Sequence, residues 1–395
     1  MSETLQSQAK SRTSGLSRLD MAVGVLAVLL IAGTLLVAVL SDPGRQGPAL
    51  AYIHPYSGGI PNIWLASLED PSTAQQLTDV PIGVFDFDVS SDGRLLAYSA
   101  RPQDSLFHEI YLLNLQTRNV QQVTDCTGAE ADCTAPDFRP GDDVLAFVRI
   151  DTNMSIEGVG PGTYRIWLAD IRQSPMVIQP LTPNSQVVGH SPSWARDGRS
   201  LLFYSADIAN PGTNIFNYAP AQGDPALVFV PGNSGDPGTL SPDGSQLVYP
   251  EYTRRADDNV YRHLRIADLT SRESRPLTGP DGLADDAAAR FSPDGSALVV
   301  ERRYIDGPEA TTGYQLYRLD LATEAVTPLL VDGQFQHGFA AWNATGDKVA
   351  FQRLQLTDAD GQPAVGVQPE VWALDSDGRP IQVAVNAFMP RWARP

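Results

Sequence analysis

The residues best able to do chemistry here are five histidines and a stretch rich in arginine and tyrosine. The histidines are His54, His108, His190, His263 and His337. A neutral imidazole ligates transition metals or moves a proton near neutral pH, so histidines gathered round one cavity would make a metal or acid–base site. No two of the five have the spacing of ligands on a single helix or hairpin. The plainer reading, histidine tolerated in exposed loops, has the better support. Arg254, Arg255, Arg302, Arg303 and Arg353 lie near Tyr252, Tyr261 and Tyr304. Arginine and tyrosine together are common anchors of protein interfaces. Asp257, Asp258, Asp306 and Glu309 share those stretches and can neutralise the arginines locally, so a partner-binding patch and a self-neutralised one are both open. The candidate binding residues are His54, His190, His337, Arg254, Arg302, Arg303 and Tyr304. No nucleophile and base cluster, so no catalytic residue, metal ligand set or cofactor is assigned.

Cys126 and Cys133 bracket six residues. Outside the cytoplasm a disulfide is the natural reading, closing only a short loop. A redox pair would more often read C-x-x-C, and a metal site would need two further ligands. Asp358-Ala359-Asp360-Gly361 and Asp375-Ser376-Asp377-Gly378 resemble the start of calcium loops but lack the later Glu, so turns are expected there.

The 395 residues carry a net charge of −18, with 42% hydrophobic residues, 33 Gly and 31 Pro. That charge speaks against nucleic acid, which needs phosphate-neutralising Lys and Arg, and against adhesion to anionic lipid. Residues 21–40, MAVGVLAVLLIAGTLLVAVL, contain no charge and no Pro. About 20 apolar residues span a bilayer as a helix. Lys10, Arg12 and Arg18 precede them, so the positive-inside bias keeps residues 1–20 in the cytoplasm and sends the rest out. A cleaved signal peptide would have a shorter core and a small-residue cleavage pattern, unlike Ala38-Val39-Leu40-Ser41. The expected layout is a disordered cytoplasmic tail (1–20), a transmembrane anchor (21–40), a linker (41–47) and a folded domain (48–395).

The folded domain repeats with a period of about fifty residues. Its turns include Ser91-Asp92-Gly93, Arg196-Asp197-Gly198, Pro242-Asp243-Gly244 and Pro293-Asp294-Gly295. Asp bonds its own backbone and Gly takes positive φ, as hairpin turns require. Each turn separates a short strand ending in a large apolar residue, such as Trp194 or Phe291, from an apolar strand such as LLFYS (201–205) or ALVVE (297–301). A loop, an alternating strand such as RIWLADI (165–171) and a short fourth strand ending in a polar turn complete the unit. Four strands per repeat make a propeller blade.

The first repeat lacks its first strand. The segment from Phe388 to Ala393 matches the one from His190 to Ala195, with Pro, Trp and Ala in the same places. It is expected to pair with residues 49–53 and close a seven-bladed, all-β ring. His190 and His337 precede first strands and so should lie nearest the central channel. The longest loops, Asp151–Thr163, Glu251–Arg262, Glu301–Gly313 and Arg353–Gln368, should share one rim, and all five histidines should lie in or beside loops of that rim. Variable loops on a rigid scaffold are where binding residues usually sit.

The runs Ser241-Pro242-Asp243-Gly244 and Phe291-Ser292-Pro293-Asp294-Gly295, with the endings Leu77-Thr78-Asp79 and Leu277-Thr278-Gly279, resemble the TolB-type propeller repeat. The resemblance covers about residues 48–395 and implies a propeller that binds protein partners through one face. TolB itself has an α/β domain before six blades; here no such domain is expected between the anchor and the ring, and seven blades are expected. The repeat is also similar to the propeller of prolyl-oligopeptidase-like peptidases, which act through a following hydrolase domain with a Gly-x-Ser-x-Gly elbow; no such motif occurs in residues 1–395, so that activity is not expected. The expected function is a membrane-anchored, extracytoplasmic interaction scaffold whose partner is another envelope or extracellular protein. The alternatives are a propeller lyase or hydrolase acting on extracellular polysaccharide, with a channel metal near His190 and His337, and a ligand-sensing module.

Overall fold

The computed structural model describes residues 47–394, except residues 142, 153–161, 183–187, 206, 208, 218–226, 256–257 and 280–282. The predicted tail and anchor, and the linker up to residue 46, lie outside the described residues. Within them the regular structure is strand, apart from one 3-10 turn at Pro71–Thr73. The strands form seven four-stranded antiparallel sheets. Six sheets follow chain order. The remaining one, blade 1, consists of Phe388–Arg394, Ala49–His54, Asn62–Ser67 and Gln75–Gln76, in that order. Leu50 stands opposite Trp392 and Ile53 opposite Phe388, so the last strand completes the first blade as its sequence match to blade 4 predicts.

Burial explains why the ring closes. Second strands such as Leu95–Ala100 and Ser200–Ser205 are buried along nearly their whole length, because each is internal to its sheet and lies between neighbouring blades. Phe147, Phe203 and Phe351 occupy the same repeat position and are fully buried. Truncating one of them to Ala would cost about 3–5 kcal/mol. The buried residues form seven apolar clusters, one per blade-to-blade interface. The cluster joining blade 7 to blade 1 packs Val371, Ala373 and Val383 on Leu50, Tyr52 and Ala66.

The motif residues do structural work. Ser241 Oγ donates to Asp243 Oδ1 (2.6 Å) and accepts from Gln246 N (2.9 Å); Ser292 repeats this with Asp294 and Ala297. Gly244 and Gly295 hold φ of 72° and 74°, where a side chain would be strained. The threonine ending a blade ties its fourth strand to its third. Thr78 Oγ1 accepts from Ile63 N, Thr124 Oγ1 from Ile110 N and Thr278 Oγ1 from Leu264 N, each at 2.9 Å. Asp358 and Asp375 accept backbone N–H groups within their own turns, as expected of turns. Cys126 and Cys133 are disulfide-bonded and buried.

Two features carried no sequence signal. The first strands of blades 3, 4, 7 and 1 each bulge at a left-handed, non-glycine residue: Ala135, Ser191, Phe339 and Met389. Carboxylates of the preceding blade then reach across to these strands. Asp86 accepts from Ala135 N (2.7 Å), Asp88 from Phe138 N (2.8 Å), Asp137 from Trp194 N (2.6 Å) and Glu301 from Ala340 N (2.9 Å). Burial pushes Asp86, Asp137 and Glu301 above the usual carboxylate range, and nearby Asp88 pushes Asp137 further.

The expected long loops are shorter than the sequence suggested. Second strands extend to Arg254 in blade 5, Tyr304 in blade 6 and Gln355 in blade 7. In blade 5 the ladder continues through charged residues, pairing Glu251 with His263, Tyr252 with Arg262 and Arg254 with Val260. Cross-strand charge and aromatic pairs sustain a strand where hydrophobic alternation has stopped. Most of Asp151–Thr163 lies outside the described residues.

Candidate functional site: the loop rim of blades 5 and 6

In every blade the first strand starts, the second ends, the third starts and the fourth ends at the same rim, here called the loop rim. The opposite rim carries the tight turns. The first described strand starts at Ala49 and the last ends at Arg394, both on the turn rim.

Asp285 and Asp286 follow Ala284 at the start of the first strand of blade 6, and the register sets them opposite Arg303 and Arg302. Arg302 Nε donates to Asp286 Oδ1 (2.6 Å) and Nη2 to Oδ2 (2.9 Å). Burial opposes the charge on Arg302, but the Asp286 carboxylate outweighs it and raises the guanidinium above its ordinary pKa. Arg302 is therefore buried and paired within the blade, not presented to solvent.

Asp285 is shared. Its Oδ1 accepts from Arg262 N (3.0 Å) and Nε (3.3 Å). Its Oδ2 accepts from Tyr314 Oη (2.7 Å) and Arg303 Nε (3.1 Å), with Arg303 Nη2 at ion-pair distance (3.0 Å). Burial works against this carboxylate, yet the Tyr314 hydroxyl, the Arg262 N–H and the two guanidiniums together hold it below its usual range. Both guanidiniums lie 5.2 Å from the Tyr314 ring, and Arg262 lies 5.7 Å from Tyr252. Arg262 Nη2 also donates to Tyr314 Oη. Burial and Asp285 push the Tyr314 hydroxyl up to about 12, so it stays a donor.

The remaining arginines are mostly paired. Arg255 bonds Asp306 across blades 5 and 6 at 3.1 Å. Arg353 is stacked between Phe335 (4.0 Å) and Trp372 (3.9 Å) and bonds Glu370 at 2.9 Å. Arg254 and Asp258 form an exposed pair at 3.5 Å. Tyr304 packs edge-on against Tyr317 and lies 5.6 Å from Arg302.

The histidines do not form a set. His190 and His337 lie inside the first strands of blades 4 and 7 rather than before them, three blades apart in a ring of seven. His190 lies edge-on to Tyr164 and tilted against Tyr204, and bonds Ser191 Oγ (3.0 Å). His337 is fully buried edge-on against Phe351, and neither ring nitrogen has a hydrogen-bond partner. Burial first, then nearby Arg353, lowers its pKa to about 4. His263 is buried inside a strand against Thr253, not in a loop. His54 bonds the Asn386 carbonyl (3.2 Å) and His108 bonds Asp132 (2.8 Å). Among the described residues no three His, Cys, Asp or Glu side chains converge to hold a metal ion.

Sequence reasoning found Arg303 but missed Arg262, Asp285 and Tyr314. The acidic pair Asp285-Asp286 and the basic pair Arg302-Arg303 flank one hairpin of the repeat, and aligning them across it would have revealed the network.

A family model described as the TolB beta propeller domain matches residues 67–345. No curated protein sequence matches the chain. Several solved structures are similar. The β-propeller domain of the Trilobed protease from Pyrococcus furiosus, described as having an open velcro topology, is 12% identical. Its TM-score is 0.55, over 86% of this chain and 96% of that one. One of two prolyl endopeptidases studied for inter-domain dynamics is 13% identical with a TM-score of 0.57; the match covers 88% of this chain but only 50% of that one. TolB from Acinetobacter baumannii is 15% identical over 92% of this chain and 71% of its own, with a TM-score of 0.48. At these identities the likeness is one of fold.

Proposed function

The chain belongs to the TolB β-propeller family, and from that premise we propose that it is a membrane-tethered, extracytoplasmic scaffold that docks a protein partner on its loop rim. One observation carries this reading. Among the described residues, most exposed large hydrophobic side chains lie on the loop rim, including Tyr56, Ile60, Leu106, Tyr252, Val260 and Val365. Exposed apolar residues concentrated on one face of a rigid fold are what a docking surface requires. The tether rests on the uncharged stretch 21–40 and the basic residues before it.

Site-specific photo-crosslinking in intact cells tests the proposal. A photoreactive residue at Tyr56 or Tyr252 should give a discrete protein adduct. Adducts formed only from the turn-rim positions Val120 or Val177 would reverse the assignment.

A further inference from the structure

Resting on the loop-rim docking reading, the network round Asp285 says something about the partner's chemistry. One carboxylate serves two guanidiniums, so Arg262, Arg303 and Asp285 together leave one positive charge over. Beside them Arg302 is paired one-to-one with Asp286, and Arg254 and Arg255 contact Asp258 and Asp306. Glu309, on a loop of the same blade, pairs with neither Arg262 nor Arg303. Asp285 already accepts four hydrogen bonds, and among the described residues Nη1 of Arg262 and of Arg303 makes none. The Arg262 and Arg303 side chains remain 22% and 38% exposed.

These arginines differ from an ordinary exposed pair. Their carboxylate is buried, and the Tyr314 ring supports both, so little side-chain entropy remains to be lost when a ligand arrives. A guanidinium fork matches a carboxylate in a bidentate way. Half-exposed Tyr252 adds an apolar wall beside Arg262. The molecule as a whole carries −18 and repels an acidic chain, so recognition of one would have to be local. We infer that Arg262 and Arg303, held by Asp285 and flanked by Tyr252 and Tyr314, form a receptor for a carboxylate on an acidic segment of the protein partner.

The test uses the full chain in an uncharged detergent, titrated by fluorescence anisotropy with a rhodamine-labelled hexaglutamate peptide at low salt. Saturable binding is expected, weakened about tenfold by Arg303→Gln or Arg262→Gln, since each removes a charge-assisted contact. Arg379→Gln removes an equal charge from an exposed ion pair on the turn rim and should leave binding unchanged. Arg303→Lys keeps the charge without the fork and should still lose most of the affinity, at an unchanged melting temperature. Absence of saturable binding, or equal loss in all the variants, overturns the inference. So does displacement by free glutarate at the peptide's own concentration, which marks a small-anion site. If loop-rim crosslinks to a partner survive Arg303→Gln, docking on this rim stands and the acidic receptor falls.

Discussion

Asp286 and Arg302 meet in a two-point clamp, with Nε on Oδ1 at 2.6 Å and Nη2 on Oδ2 at 2.9 Å, and the side chains are 1% and 7% exposed. Thr278 Oγ1 of blade 5 donates to Asp286 at 2.6 Å, so the clamp also joins two blades. Removing one member strands the other as a buried, uncompensated charge. Arg302→Leu should destabilise the protein by about 3–5 kcal/mol in urea unfolding, whereas Asp286→Leu/Arg302→Leu should recover much of that loss. A cost under about 1 kcal/mol for the single variant, the size typical of an exposed pair, would show that the clamp is not formed.

Closure through Phe388–Arg394 gives a second prediction. Deleting residues 388–395 strips Leu50 and Ile53 of their cross-strand partners and leaves Ala49–His54 as a sheet edge. The loss should exceed that of any single core truncation, which is about 3–5 kcal/mol, and protease cleavage should begin in blade 1 or blade 7. Melting unchanged by the deletion would mean that the ring closes by another route.

His337 predicts a pH dependence. Burial, reinforced by Arg353, keeps the folded imidazole neutral down to about 4 from an ordinary 6.5. Between those values the unfolded chain holds a proton that the folded one does not. The contribution is therefore complete above pH 6.5 and disappears as pH falls to 4, up to about 3 kcal/mol. Asp86, Asp137 and Glu301, raised by burial, act in the opposite sense, losing stability as pH rises. The effect is thus read as a signed difference: the unfolding free energy at pH 7 minus that at pH 4.5 should be smaller in His337→Leu than in the parent. Equal divergence would show that His337 titrates normally.

Much of the fold was legible because the repeat writes its turns in residues with few alternatives. Asp243-Gly244 and Asp294-Gly295 can hardly be anything but turns, and Trp392 matches Trp194 closely enough to identify the closing strand. The bulges at Ala135, Ser191, Phe339 and Met389 were invisible, since nothing about those residues prefers positive φ; carboxylates of the neighbouring blade bond the bulged strands of blades 3, 4 and 7, and Gln352 Oε1 accepts from Met389 N in blade 1. The site was half legible for a related reason. Arg302 and Arg303 read as loop residues when hydrophobic alternation is the only guide. Cross-strand pairing with Asp286 and Asp285 carries the strand to Tyr304, burying one arginine and leaving the other at the rim. The histidines misled because loop and strand-start positions look alike in sequence, and His263 and His337 fell inside strands.

The central claim, that this propeller recognises a partner through its loop rim, is most directly tested by comparing two triple variants for co-purification of the crosslinked partner. Tyr56→Asp/Leu106→Asp/Tyr252→Asp alters the loop rim, and Val120→Asp/Val177→Asp/Leu227→Asp alters exposed apolar residues of the turn rim. With melting temperatures matched to the parent, the account predicts that the first set loses the partner and the second retains it. Loss confined to the second set, or retention by both, would contradict it.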